Sequence, residues 1–286
     1  MATFYNQATL SLGGVVQNSN ITSGELVTGV NITKTAVSSS YGPGDGITYA
    51  VTIVNSENTA KTGLTLTDDL GAYTPLGGTT QVTPLTYVDG SVLLYVNGIL
   101  GTPPTVTAGP PLIFSGIDVP AGGNVTVLYE ATANSFAPLA AASSVTNTAT
   151  VTSPSLAEAL TDTATVAVKE APILSIAKAV CPPVVNNDED ITYTFIVQNM
   201  GNIAVEATDD LTVTDTFDPI LTGISVTLNG TPLAEGTGYT YDETTGVFAT
   251  LPGAIPVPAA TYVTDPETGV ITTTPGFATL TVTGTV

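Results

Sequence analysis

The 286-residue sequence has no histidine, no arginine and no tryptophan, and one cysteine. Each absence removes a class of function. Without histidine there is no Ser-His-Asp or Cys-His nucleophile and no His-ligated zinc. Without arginine the bidentate phosphate clamp is lost. A carboxylate pair is the chemistry that survives. Asp68-Asp69 and Asp209-Asp210 are adjacent in sequence, but both lie in or beside repeat motifs, so no enzyme is expected. A lone Cys181 excludes an internal disulfide. It reads as a small buried filler, with an intersubunit disulfide as the second reading. The lack of tryptophan weakens a sugar-binding platform.

Positive charge is nearly missing too. Four lysines stand against 24 acidic residues, a net charge of −20. No basic face for nucleic acid can be built from these residues, nor one for anionic lipid heads. No run of 18 apolar residues spans a membrane. No basic region followed by an apolar core marks a secretory signal. The expectation is export by an unreadable route, or assembly inside a mother cell before release.

What is present is β-forming. Hydrophobic residues make up 43% of the chain and charged residues only 10%. Thr and Val recur throughout, and both favour strands. The class is all-β. Its acidity is spread out and reads mainly as solubility through repulsion.

The strongest internal signal is a repeat. Ile32-Thr33-Lys34-Thr35-Ala36-Val37 aligns with Ile176-Ala177-Lys178-Ala179-Val180 at an offset of 144. Ile47-Thr48-Tyr49 through Asn55 aligns with Ile191-Thr192-Tyr193 through Asn199 at the same offset. Leu64-Thr65-Leu66-Thr67-Asp68 aligns with Leu211-Thr212-Val213-Thr214-Asp215 at 147. Apolar residues alternate along these segments, as on half-buried strands. Turns such as Gly42-Pro43-Gly44-Asp45-Gly46 separate them, which predicts a two-sheet sandwich in each copy. An extra hairpin is expected over residues 261–274, turning at 265–269.

The pattern Lys-Thr, Pro-Gly-Asp-x-Ile-Thr-Tyr, Leu-Thr-x-Thr-Asp and Asn-Thr-Ala-Thr-Val-Thr resembles the conserved tandem-repeat domain of bacterial and archaeal surface proteins. The resemblance covers residues 30–286. It implies two immunoglobulin-like β-sandwiches serving as stalk or wall modules. Copy two departs from it at Asn186-Asn187-Asp188-Glu189-Asp190, where copy one has Pro43-Gly44-Asp45.

The two ends of the chain suggest assembly. Asn6-Gln7-Ala8-Thr9-Leu10-Ser11 reads like Asn147-Thr148-Ala149-Thr150-Val151-Thr152 at an offset of 141, and residues 145–152 look like a closing strand. No match to that strand follows in copy two. The expected layout is a donor strand over 1–12, a flexible linker over 13–29 with a short strand at 25–30, sandwich one over 30–170, and sandwich two over 171–286 without its closing strand. Phe4, Ala8, Leu10 and Leu12 share one face of the donor. Inserted into the next subunit, the donor makes a head-to-tail contact that propagates as a filament. Self-insertion and a frayed tail remain as alternatives.

The partners are therefore further copies of the same chain, at a cell or spore surface. A non-catalytic surface adhesin is the alternative.

Lys34 and Lys178 occupy one repeat position. One reading lays each stem across the sheet, with its ammonium near a carboxylate. The sharper reading is a Lys–Asn isopeptide bond, as in many wall-anchored domains. It would join Lys34 to Asn55 or Asn147 with Asp68, and Lys178 to Asn199 or to Asn6 of the next subunit with Asp215. No cofactor is expected. Calcium has weak candidates at Asp188, Asp190, Asp209 and Asp210, but neither stretch has the spacing of a known loop, and such stretches are more often solvated turns.

Overall fold

The structure, a computed structural model, describes residues 3–25 and 29–286. Met1, Ala2 and residues 26–28 of the expected donor and linker lie outside the described residues.

Residues 3–25 form a hairpin of four short strands: β1 (Thr3–Asn6), β2 (Thr9–Leu12), β3 (Val15–Asn18) and β4 (Thr22–Glu25). β2 pairs with β3, and β1 with β4. The turn is Gly13-Gly14, with φ of 59° and 85°. Two successive positive φ values give the primed turn that matches strand twist, and glycine adopts them freely. Asn6 faces Thr22 and Thr9 faces Asn18, so the return strand carries one extra residue, a bulge at Ser19–Ile21. The expected linker over 13–29 is thus corrected. Most of it is the returning arm of a hairpin, and the donor is already paired within its own chain.

The chain then divides into two units. The first contains β5 (Val30–Ala36), β6 (Ser40–Tyr41), β7 (Gly46–Asn55), β8 (Lys61–Asp68), β9 (Leu85–Tyr87), β10 (Leu93–Val96), β11 (Ile99–Leu100), β12 (Thr105–Thr107), β13 (Leu112–Val119), β14 (Asn124–Ala133), β15 (Ser144–Thr152) and β16 (Leu160–Val168). One sheet runs β11-β10-β14-β7-β5, with β9 also on β14, and the other runs β12-β13-β8-β15-β16-β6. The alternation read in the sequence is the core pattern. Ile47, Tyr49, Val51 and Ile53 of β7 are fully buried, as are Leu64, Leu66, Phe114, Ala149 and Val151 of the opposing sheet.

The second unit contains β17 (Leu174–Cys181), β18 (Asp190–Asn199), a 3-10 turn (Ala207–Asp209), β19 (Thr214–Thr216), β20 (Thr222–Leu228), β21 (Thr231–Leu233), β22 (Tyr239–Asp242), β23 (Val247–Thr250), β24 (Thr261–Thr264), β25 (Ile271–Thr274) and β26 (Gly276–Thr285). Its sheets run β17-β18-β26-β20-β21 and β19-β23-β22, and β24 and β25 form the expected extra hairpin. Its core gathers Phe195, Phe217, Phe248, Ile255 and Leu280. Residues 74–82 and 135–144, read as part of sandwich one, group with this unit, as does the chain from Ala167. Both units are antiparallel β-sandwiches of the immunoglobulin-like kind, as the strand pattern predicts.

The registers confirm the repeat. Lys34 faces Val51 on β5–β7 and Lys178 faces Phe195 on β17–β18, each at the offset of 144. That offset grows to 147 before Leu211, and the three-residue 3-10 turn Ala207–Asp209 lies in this interval. The eight-residue β8 of the first unit is represented in the second by the three-residue β19.

Candidate assembly site

In the first unit, β5, β8, β14 and β15 bring four polar side chains to one buried place. Lys34 Nζ lies 2.5 Å from Asp68 Oδ2, and both side chains are fully buried. Tyr129 donates its hydroxyl to the same oxygen. Asp68 Oδ1 accepts from the Leu70 amide at 3.0 Å. Asn147 sits on β15 two residues before Ala149, which pairs with Asp68. Two bonds fix the strand there: Thr148 donates to Asp69 Oδ1 at 2.8 Å, and Asp69 donates to the Thr148 carbonyl at 3.0 Å.

Asn147 is fully buried, yet neither its amide nitrogen nor its amide oxygen has a hydrogen-bond partner. The Tyr49 and Tyr129 hydroxyls are close enough for its amide to bias their titration, without well-formed bonds. Tyr49 stacks on Tyr129 at 5.6 Å, and Lys34 Nζ sits 4.9 Å from the Tyr49 ring centre.

Burial dominates the electrostatics. It pushes the Lys34 ammonium down from its ordinary value, against the opposing pull of Asp68. It also raises the Tyr129 phenol well above its usual range, with the Asp68 charge adding to the effect. The Lys34 ammonium lies near a carboxylate, that of Asp68, and both side chains are fully buried.

In the second unit the same positions are open. Lys178 pairs with Asp215, stacked over Tyr193 at 4.5 Å from the ring centre. Its side chain is 41% exposed, where that of Lys34 is 0%. Ile176 is 58% exposed, where its repeat partner Ile32 is 6%. The cause is topological. In the first unit, β8 has β13 on one side and β15, then β16, on the other. Among the described residues, β19 has only β23. Two strands that cover Lys34 have no counterpart over Lys178. The result is an unpaired backbone edge beside an apolar strip of Leu174, Ile176 and Val180.

The hairpin over residues 3–25 carries a second exposed apolar surface. Tyr5, Leu10, Leu12, Val15, Val16 and Ile21 are all exposed on it. Among the described residues its strands pair with each other alone, and residues 3–24 carry no charged side chain. Asn6 is exposed on β1, with its carbonyl accepting from Thr22 at 3.1 Å.

Other candidates fall elsewhere. Asn55 spends its amide on the Thr59 and Pro120 carbonyls and on the Glu57 amide. Asn199 does the same with Ile203, Pro258, Ile173 and Gly201. Both organise loops and are removed as partners for the lysines. The four calcium candidates do not converge, since no three acidic, His or Cys side chains gather among the described residues. Asp188 and Asp210 sit at positive φ in turns. Asp209 caps its 3-10 turn by accepting from Glu206, and Asp190 accepts from Thr285. Cys181 is exposed on β17, a correction to its reading as a buried filler.

Sequence reasoning missed two parts of the site. Tyr129 gave no sign because its place on β26 is taken by Val282, which faces Tyr193 as Tyr129 faces Tyr49. The returning arm was signalled by Gly13-Gly14 between apolar residues, a hairpin cue.

No family model matches the chain, and no curated protein matches it. Solved structures are similar at low identity. The major pilin subunit BcpA of Bacillus cereus is 11% identical, with a TM-score of 0.37, over 96% of this chain and 73% of that one. The pilus backbone protein RrgB of Streptococcus pneumoniae is 13% identical, with a TM-score of 0.35; the match covers 86% of this chain and 55% of the pneumococcal one. The collagen-binding subdomain of the Enterococcus faecalis surface protein ACE is 8% identical, with a TM-score of 0.32, over 49% of this chain and 99% of that one. No helix among the described residues is long and apolar enough to cross a membrane.

Proposed function

We propose that the chain is a non-catalytic subunit of a self-assembling surface fibre, extracellular or on a spore. Subunits join head to tail when the hairpin over residues 3–25 of one copy docks on the open edge of the second unit of the next. The observation that carries this is the paired deficit and surplus. Among the described residues β19 pairs with β23 alone, and the chain carries a two-armed hairpin whose apolar side chains are exposed.

The offset of 141 sets the register. β15 pairs Ala149 with Asp68 and Val151 with Leu66. In the joint, Ala8 then faces Asp215 and Leu10 faces Val213. Each buried Leu contributes roughly 1.5–3 kcal/mol, and the ladder adds main-chain hydrogen bonds. Because the two surfaces differ, the contact is heterologous and propagates. An adhesin acting alone has no use for a hairpin that mimics its own closing strands.

Electron microscopy of the full chain beside a version lacking residues 3–25 tests the reading. Filaments are expected in the full chain only. Filaments in both samples, or in neither across concentration and salt, contradict it.

A further inference from the structure

Two lysines out of four stand against an aspartate at one repeat position, one buried and one open. We propose that these are two copies of an autocatalytic amide-forming centre. Lys34 bonds to Asn147 within the first unit. Lys178 bonds to Asn6 of a second copy, which makes the fibre covalent.

The first arm stands on the geometry of the first unit alone. A buried asparagine amide with neither atom hydrogen-bonded is costly. A buried lysine whose one carboxylate partner also holds a tyrosine hydroxyl is equally unusual. The two groups share the Tyr49–Tyr129–Asp68 surroundings, and forming a bond between them removes the buried ammonium and the free amide together.

The step balances. Lys34 passes a proton to Asp68, and its neutral nitrogen attacks Asn147 Cγ. Asp68 lends that proton to the amide oxygen, takes a second proton from Lys34 Nζ as the new bond forms, and gives it to the departing nitrogen. The Nζ–Cγ bond forms and the Cγ–Nδ2 bond breaks. Ammonia leaves with the remaining proton as ammonium, and Asp68 returns ionised. No oxidant or cofactor enters. The depressed ammonium of Lys34 and the dry site favour the neutral amine that the attack needs.

The second arm rests on the fibre reading above and on its own observation. Lys178 and Asp215 are already paired over Tyr193, and among the described residues no asparagine amide is bonded to either of them. Asn147 minus 141 is Asn6, which is exposed on β1. Docking of the hairpin in the β15 register puts Asn6 where Asn147 stands, and the covering strands dry the site as they do around Lys34.

Mass spectrometry of the denatured full chain tests the first arm without any variant. The monomer is expected about 17 Da below its sequence mass, one ammonia lost. Tandem spectra are expected to show a branched peptide joining Lys34 to Asn147, and Lys34→Ala is expected to restore the sequence mass. An unmodified wild-type mass overturns this arm whatever the variants do.

The second arm is read by boiling assemblies in SDS. A ladder at multiples of the subunit mass is expected, and it should vanish in Asn6→Ala while filaments persist under the microscope. Wild-type filaments that dissolve into monomers overturn the covalent joint and leave strand docking standing. The absence of filaments from the wild type overturns strand docking itself, and the joint with it.

Discussion

Asn55 and Asn147 are both buried asparagines on inward positions of the first unit, and they use the same amide in opposite ways. Asn55 is saturated by a turn, bonding Thr59, Pro120 and Glu57. Truncating it leaves those groups unpaired. Asn55→Ala is expected to lower the stability of the first unit by about 2–3 kcal/mol in denaturant unfolding, while its mass stays about 17 Da below its own sequence mass. Loss of the bond at Asn147, by contrast, is read in mass.

Buried phenols add a pH limit. Burial pushes Tyr41 up to about 12, with nearby Tyr73 adding to it. In the unfolded chain it ionises near 10. A folded value above the unfolded one stabilises fully below pH 10, and that contribution is lost as pH rises from 10 through about 12. Tyr49 and Tyr129 shift in the same direction. Alkaline unfolding of the first unit should therefore begin above pH 10, and Tyr41→Phe should flatten its onset in a circular-dichroism titration.

At the scale of the element, β5 and β17 are one strand in two settings. Ile32 is covered and Ile176 is bare. Ile32→Asp buries a charge and is expected to cost at least ~3 kcal/mol. Ile176→Asp is expected to change subunit stability by no more than about 0.5 kcal/mol, as exposed substitutions do, and to block assembly. Thermal melts and light scattering of the two variants separate the effects.

This contrast also marks what was legible in the sequence. The 144-residue offset placed Lys34 and Lys178, and the alternation placed the core, because repeat position and strand parity are local signals. The 141-residue offset found the outgoing arm of the hairpin. The returning arm escaped because Asn18-Ser19-Asn20 and Ser23-Gly24 read as loop, and pairing across a bulge leaves no strict alternation to see. Burial of Lys34 against exposure of Lys178 was invisible for another reason. It depends on β15 and β16, more than a hundred residues away along the chain.

On the scale of the whole molecule, charge opposes assembly. Subunits of net charge −20 repel one another. Residues 3–24 of the hairpin carry no charge and add nothing to that repulsion where the joint forms. Raising ionic strength shortens the Debye length to about 10 Å at 0.1 M. Filament growth followed by light scattering is therefore expected to speed up with salt. An assembly driven by surface ion pairs slows instead.

The proposed joint has two unlike halves, and a mixing experiment isolates it. One variant lacks residues 3–25 and keeps the open edge. The other carries Ile176→Asp and keeps the hairpin. Neither should polymerise alone. Mixed in equal amounts, they should form a single one-to-one dimer by size exclusion with light scattering, because each supplies the half the other lacks. A mixture that stays monomeric, or either variant polymerising by itself, contradicts the account.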